Sequence, residues 1–202
     1  MTTDLITKIQ GVDLENLANR AYSNAKEHGF FKSSNRFQHY LFLVIAELGE
    51  ALEADRRNKR ALPEAFDRAM KEPVSPHEAA TPEEIYDHWF EAYIKDTLED
   101  ELADAAIIVL SLSGSWLYDE NLNAERRYVS SSYLKPNSEY PDLALSLFYL
   151  CRAIINTDYH RNITILYWLN RIAASLEIDL FKHIELKMTY NEHRPYLHGK
   201  KY

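Results

Sequence analysis

Cysteine is almost missing from the chain: Cys151 is the only one in 202 residues. No disulfide can close within the chain, which excludes a fold held together by cross-links. Its setting, LFYLCRAII, predicts a buried thiol. Glycine is scarce as well, with five residues, and no stretch strongly alternates apolar with polar side chains, so the pattern of a β protein is absent. Positive charge is in deficit, 23 Lys and Arg against 31 Asp and Glu for a net charge of -8. The acids are spread along the whole chain, which argues against a broad basic face and against nucleic acid as a partner. No uncharged run approaches the roughly 20 residues of a membrane span. The opening MTTDLITKIQGVDLENLANR lacks a basic segment followed by an apolar stretch. A soluble, cytoplasmic protein is the expectation, with no membrane partner.

What is present is helical material. Apolar residues make up 46% of the chain, enough for the core of one domain covering 1–202. Leucine, alanine and glutamate recur at helical spacing, which predicts an all-α fold. Asp13 reads as the N-cap of a helix to about Glu27, ending near Gly29. A second helix is predicted from about Phe37 to Arg57, with Leu41, Val44, Ile45, Leu48 and Leu52 on one stripe. From about 58 to 91 the chain holds Pro63, Pro73, Pro76 and Pro82 and reads as an inserted loop with one short helix. A third helix is predicted from about Tyr93 to Tyr118, central because it carries no charge from Ala105 to Tyr118. Two further helices are expected within about 141–176, and a last one from a cap at Asp179 to about Arg194, where Pro195 stops it.

Chemistry concentrates on two of these helices. Glu47 and Glu50 in AELGEA, and Glu101 and Asp104 in DELADA, are each separated by three positions and so share a helical face. Both pairs adjoin apolar runs and should lie beside the core, whereas Glu53, Asp55, Glu99 and Asp100 read as solvated surface, with Glu53 and Asp100 as minor ligands at most. If the two helices pack antiparallel, the four acids converge. Each close pair then repels by about 3 to 4 kcal/mol at an effective dielectric of about 20, and a hard divalent cation relieves that repulsion. Oxygen-only ligands favour Mg2+, with Mn2+ as the alternative, and such ions take phosphate oxygens as further ligands. Either acidic pair alone is also common on an exposed helix, where it does nothing of the kind.

The final helix adds cations to an acidic protein. Lys187, Asn191 and Arg194 share a face and are followed by His198, Lys200 and Lys201. They suit a phosphate site opposite the acids, or equally the compensation of a helix dipole and a solubilising tail.

Glu-x-x-Glu followed by Glu-x-x-Asp on the next helix, with the ending KMTYNEHRPYLHGKKY, resembles the MazG-like family of all-α nucleoside triphosphate pyrophosphohydrolases. The resemblance covers about 14–57, 96–119 and 178–202. It implies a four-helix-bundle core with additional helices. It makes Glu47, Glu50, Glu101 and Asp104 the catalytic metal ligands, and Lys187, Asn191, Arg194 and Lys200 the triphosphate contacts, with Phe31 a candidate to stack on the base. Cleavage between the α and β phosphates to a nucleoside monophosphate and pyrophosphate would follow, in a homo-oligomer, with a dimer favoured. Two departures from small family members stand out: the long interval between the acidic pairs and the extra helices at about 141–176. Other readings are a di-iron bundle, excluded because none of the eight histidines lies three residues after a glutamate, and a non-catalytic helical interaction module.

Overall fold

The computed structural model describes residues 11–31, 36–71, 80–115, 142–156 and 162–199. Among them all regular structure is helical, as expected, in the order α1 (Leu14–Glu27), α2 (Phe37–Arg56), α3 (Pro63–Lys71), α4 (Pro82–Tyr93), α5 (Leu98–Gly114), α6 (Leu143–Ile155), α7 (Asn162–Ser175) and α8 (Leu180–His193), closed by a 3-10 turn at Tyr196–Gly199. None of the helices is long and apolar enough to cross a membrane, among the described residues.

Caps mark where these helices begin. Asp13, Asp142 and Asp179 each accept a hydrogen bond from a backbone N–H three residues on, satisfying a donor the first turn leaves free. After α1, Gly29 takes a left-handed conformation (φ 79°). A side chain there would overlap the ring of Tyr196, so glycine serves both the turn and the docking of the 3-10 segment, whose Leu197 N–H donates to the His28 carbonyl at 2.8 Å.

The stretch expected as a loop with one helix contains two. Pro63 and Pro82 stand in the first turns of α3 and α4, where a missing N–H costs nothing and a fixed φ helps. A reciprocal Thr81–Glu84 capping box secures α4. The two helices pack on each other through Phe66, Tyr86 and Phe90, and this small aromatic cluster includes Tyr190 of α8.

The central helix also differs from expectation. It does not start at Tyr93: the chain leaves α4 there, turns through Asp96 at φ 57°, and re-enters helix at Leu98 behind a Thr97 cap. Its predicted end at Tyr118 lies outside the described residues. From Leu98 to Gly114, α5 is the hub, packed against α1, α2, α7 and α8, with Leu102, Val109 and Leu110 fully buried. At Gly114 a Cβ would collide with the Ala18 carbonyl, so this glycine lets α5 pass close to α1. The predicted helices at about 141–155 and 160–176 appear as α6 and α7, packed on each other, with α6 also on α2. Cys151 is half-buried, and burial pushes its thiol up.

Candidate metal centre

Lys59, just beyond the end of α2, accepts a hydrogen bond from the N–H of Leu98 at 3.1 Å. The end of α2 thus lies beside the start of α5, and the two helices run antiparallel. This juxtaposition sets Glu47 and Glu50 of α2 against Glu101 of α5, with one carboxylate oxygen from each within 4.8 Å of the others. Glu50 is exposed, Glu47 half-buried and Glu101 buried, so the group reaches from the helix interface out to solvent.

Glu101 records the electrostatic cost. Its carboxyl is pushed up to about 8, first by burial and then by the nearby charges of Asp104 and Asp100, with Lys187 opposing the shift and Glu47 adding to it. No hydrogen bond or ion pair engages the Glu101 side chain among the described residues, so little offsets its loss of water. A second group of oxygens, from Asp96, Asp100 and Glu101, shares this residue.

Asp104, the fourth expected ligand, is not one of the three and is held by a lysine. Its Oδ2 lies 2.8 Å from the Nζ of Lys187, and the same ammonium lies 2.9 Å from Asp100 Oδ2. Lys187 was expected across from the acids as a phosphate contact; in the fold it is buried and inserted between two of them. The faces of Phe90 and Tyr190 stand 5.7 and 5.9 Å from Nζ, adding cation–π attraction. Burial works against the charge on Lys187, but Asp104 and Asp100 outweigh it and its proton is held more tightly than in water.

Two acids expected on solvated surface are buried instead. Glu99 accepts from Arg60 Nε at 2.7 Å and from the Ala61 N–H at 2.9 Å. Asp100 Oδ2 accepts from the Asp96 N–H at 3.0 Å as well as from Lys187, while its Oδ1 has no partner among the described residues. Burial is the main reason the Asp100 carboxyl is pushed up. These acids are interior because α8 covers this end of α5 and the link from α2 into α3 runs across its first residues. The sequence carried a signal for their place on the helix, though none for their burial: Thr97-x-x-Asp100 is the start signature of a helix, which puts Glu99, Asp100 and Glu101 in the first turn, where the helix dipole favours negative charge.

The remaining candidates are scattered more widely. Asn191, one turn beyond Lys187, is buried with its Oδ1 unpartnered among the described residues. Arg194 caps the end of α8 and lies over the Tyr190 ring at 5.5 Å; the Glu91 carboxyl is held below its ordinary value by the Tyr190 hydroxyl first, then by Lys95, with Arg194 adding least. Phe31, in the connector, stacks on Tyr40 of α2 at 4.5 Å and meets Tyr22 of α1 edge-on. Lys200 and Lys201 lie outside the described residues. Glu53 is spent on Arg56 and Arg57. The buried polar stripe of α8 is therefore His183, Lys187 and Asn191, with Arg194 turned onto Tyr190.

No family model, curated protein or solved structure matches this chain.

Proposed function

We propose that the protein is a Mg2+-dependent nucleoside triphosphate pyrophosphohydrolase of MazG-like type, soluble and cytoplasmic. The observation that carries this reading is the convergence of Glu47, Glu50 and Glu101 from two antiparallel helices within 4.8 Å of one another. The donor set fits a hard cation, since it is all oxygen, gathers three carboxyl groups at close range, and opens to solvent on the Glu50 side. Glu47, Glu50 and Glu101 would hold the ion, and Asp104, three residues beyond Glu101, joins them when released by Lys187. An Mg2+ ion held there would supply neutralisation of triphosphate oxygens and polarisation of a water.

The chain's own groups do the rest. A carboxylate of the set accepts the proton of the attacking water as its oxygen bonds to phosphorus and the α–β anhydride bond breaks. The products are a nucleoside monophosphate and pyrophosphate. Lys187 and Arg194 supply charge-assisted donors to the phosphates and Asn191 a neutral one, while Lys200 follows in the tail. Phe31 already has one ring face on Tyr40, which leaves it only the other for a base.

The test is pyrophosphate release from a panel of ribo- and deoxyribonucleoside triphosphates, with Mg2+ or excess chelator, for the wild type and Glu50→Gln. Release that requires Mg2+ and vanishes in the variant is expected. Release from no triphosphate, or release that survives both chelator and substitution, overturns the proposal. A second reading, a helical interaction module with structural acids, is favoured by one feature: Asp100 and Asp104 are already paired with Lys187. On that reading Mg2+ leaves the melting temperature unchanged.

A further inference from the structure

Lys187 divides its ammonium between two carboxylates that differ in kind. The Asp100 side chain is 0% exposed and the Asp104 side chain 24%. Asp100 Oδ2 is fixed a second time by the Asp96 N–H, and its place in the first turn of α5, behind the Thr97 cap, is set by backbone. Asp104 has no such second tie among the described residues. It sits one turn further along α5, half-buried, three positions from Glu101 and on the same helical face. One partner is an anchor and the other has room to turn. Lysine suits such a position because its charge is a compact point on a flexible stem, free to exchange acceptors without the planar register an arginine needs.

We infer that Lys187 is a tethered counter-ion of the metal centre. Its ammonium holds Asp104 until the cation claims that carboxylate, then stays anchored on Asp100 and turns its freed donor to a phosphate oxygen of the triphosphate. The inference rests on the metal reading above. A divalent cation and an ammonium repel each other and compete for the same Asp104 oxygens, so Lys187 weakens metal binding in the absence of nucleotide. The triphosphate removes that opposition by giving the ammonium a new acceptor. Metal and triphosphate therefore favour each other's binding through the protein, beyond any direct bond between them. Asp100 is a positioning residue that acts through Lys187. The two ring faces beside Nζ retain the ammonium without competing for it as a carboxylate does.

The experiment is Mn2+ binding to the full chain without nucleotide, followed by the loss of the free-ion electron paramagnetic resonance signal. Lys187→Gln should bind Mn2+ tighter by on the order of tenfold. Asp100→Asn should bind it more weakly than the wild type, because the ammonium then falls wholly to Asp104. The double variant should match Lys187→Gln. Equal affinity in all four proteins, or weaker binding in Lys187→Gln, overturns the inference while leaving the metal centre standing; absence of Mn2+ binding in the wild type removes both. Should Lys187→Gln fail to fold, the wild type still decides: the lysine ε-carbon resonance that disappears in Lys187→Arg must move when Mg2+ alone is added. If it stays in place while the metal binds, Lys187 is a structural ion pair.

Discussion

The two halves of α5 are buried alike and built from opposite materials. From Leu98 to Asp104 the helix carries Glu99, Asp100, Glu101 and Asp104, the first three of them buried; from Ala105 to Gly114 it carries no charge. The second half gains stability simply by leaving water, against α1 and α7 among others. The first half has to recover the hydration its carboxylates lose, and it does so unevenly. Glu99 has an arginine and a backbone N–H, Asp100 and Asp104 share a lysine, and Glu101 has neither. Equal burial is thus no guide to equal role. Where apolar side chains are buried the fold is being stabilised, whereas an acid buried without a partner costs the fold stability.

Several substitutions sharpen or break this contrast. The largest effect is expected from Glu101→Gln, which should reduce Mg2+-dependent pyrophosphate release by about 100-fold or more and yet raise the melting temperature of the metal-free protein at pH 8. A fall in both would make Glu101 structural and erase the difference between the halves. Leu110→Ala, in the apolar half, should do the reverse, lowering stability in urea by about 2 to 5 kcal/mol while folded molecules keep their turnover. If that variant loses activity at full stability, the division is misplaced.

A smaller effect concerns pH. The folded chain keeps the Glu101 proton up to about 8, whereas the ordinary value is 4.5, so between these values the folded state binds more protons than the unfolded one and stability falls as pH rises. Burial raises this carboxyl most, Asp104, Asp100 and Glu47 add to the rise and Lys187 opposes it, so the slope reflects the buried position together with the whole cluster. Urea titrations across the window should show the decline, and Glu101→Gln should flatten it; a wild-type slope near zero would mean that Glu101 is charged throughout. The same proton must leave when a cation binds, so Mn2+ affinity should increase with pH through the window. The smallest effect is expected at the surface, where Arg20 and Glu185 pair at 2.9 Å with both side chains well exposed. Arg20→Ala should cost less than about 1 kcal/mol, as read by the same urea unfolding.

The course of the fold was largely legible in the sequence because the signals were local. Asp13 and Asp179 announced helix starts, Gly29 a stop, and the spacing of Leu41, Val44 and Leu48 a buried face. Local signals also existed where the reading failed. Pro63 and Pro82 sit in a proline-rich stretch that suggests a loop, yet each stands in the first turn of a helix, and the Thr97 cap interrupts what the apolar pattern presents as one long helix. Correct placement of that cap would have brought Glu99 to Asp104 into the first two turns of α5. No local pattern, however, distinguishes a buried Asp100 from a solvated one, since its neighbours along the chain, Glu99 and Glu101, are acids as well.

By itself the sequence determined the helical class, most helix boundaries and the pairing of acids at i and i+3, because capping and helical periodicity operate within a few residues. The tertiary structure alone decided which of those acids meet. Glu47 and Glu50 reach Glu101 only because α2 and α5 run antiparallel with their ends in register. Asp104 is given to Lys187 only because α8 lays a buried ammonium along the same edge. Contacts of this kind join residues far apart in the chain, and their energies depend on burial and on the summed charge of everything nearby, which no stretch of a few residues contains.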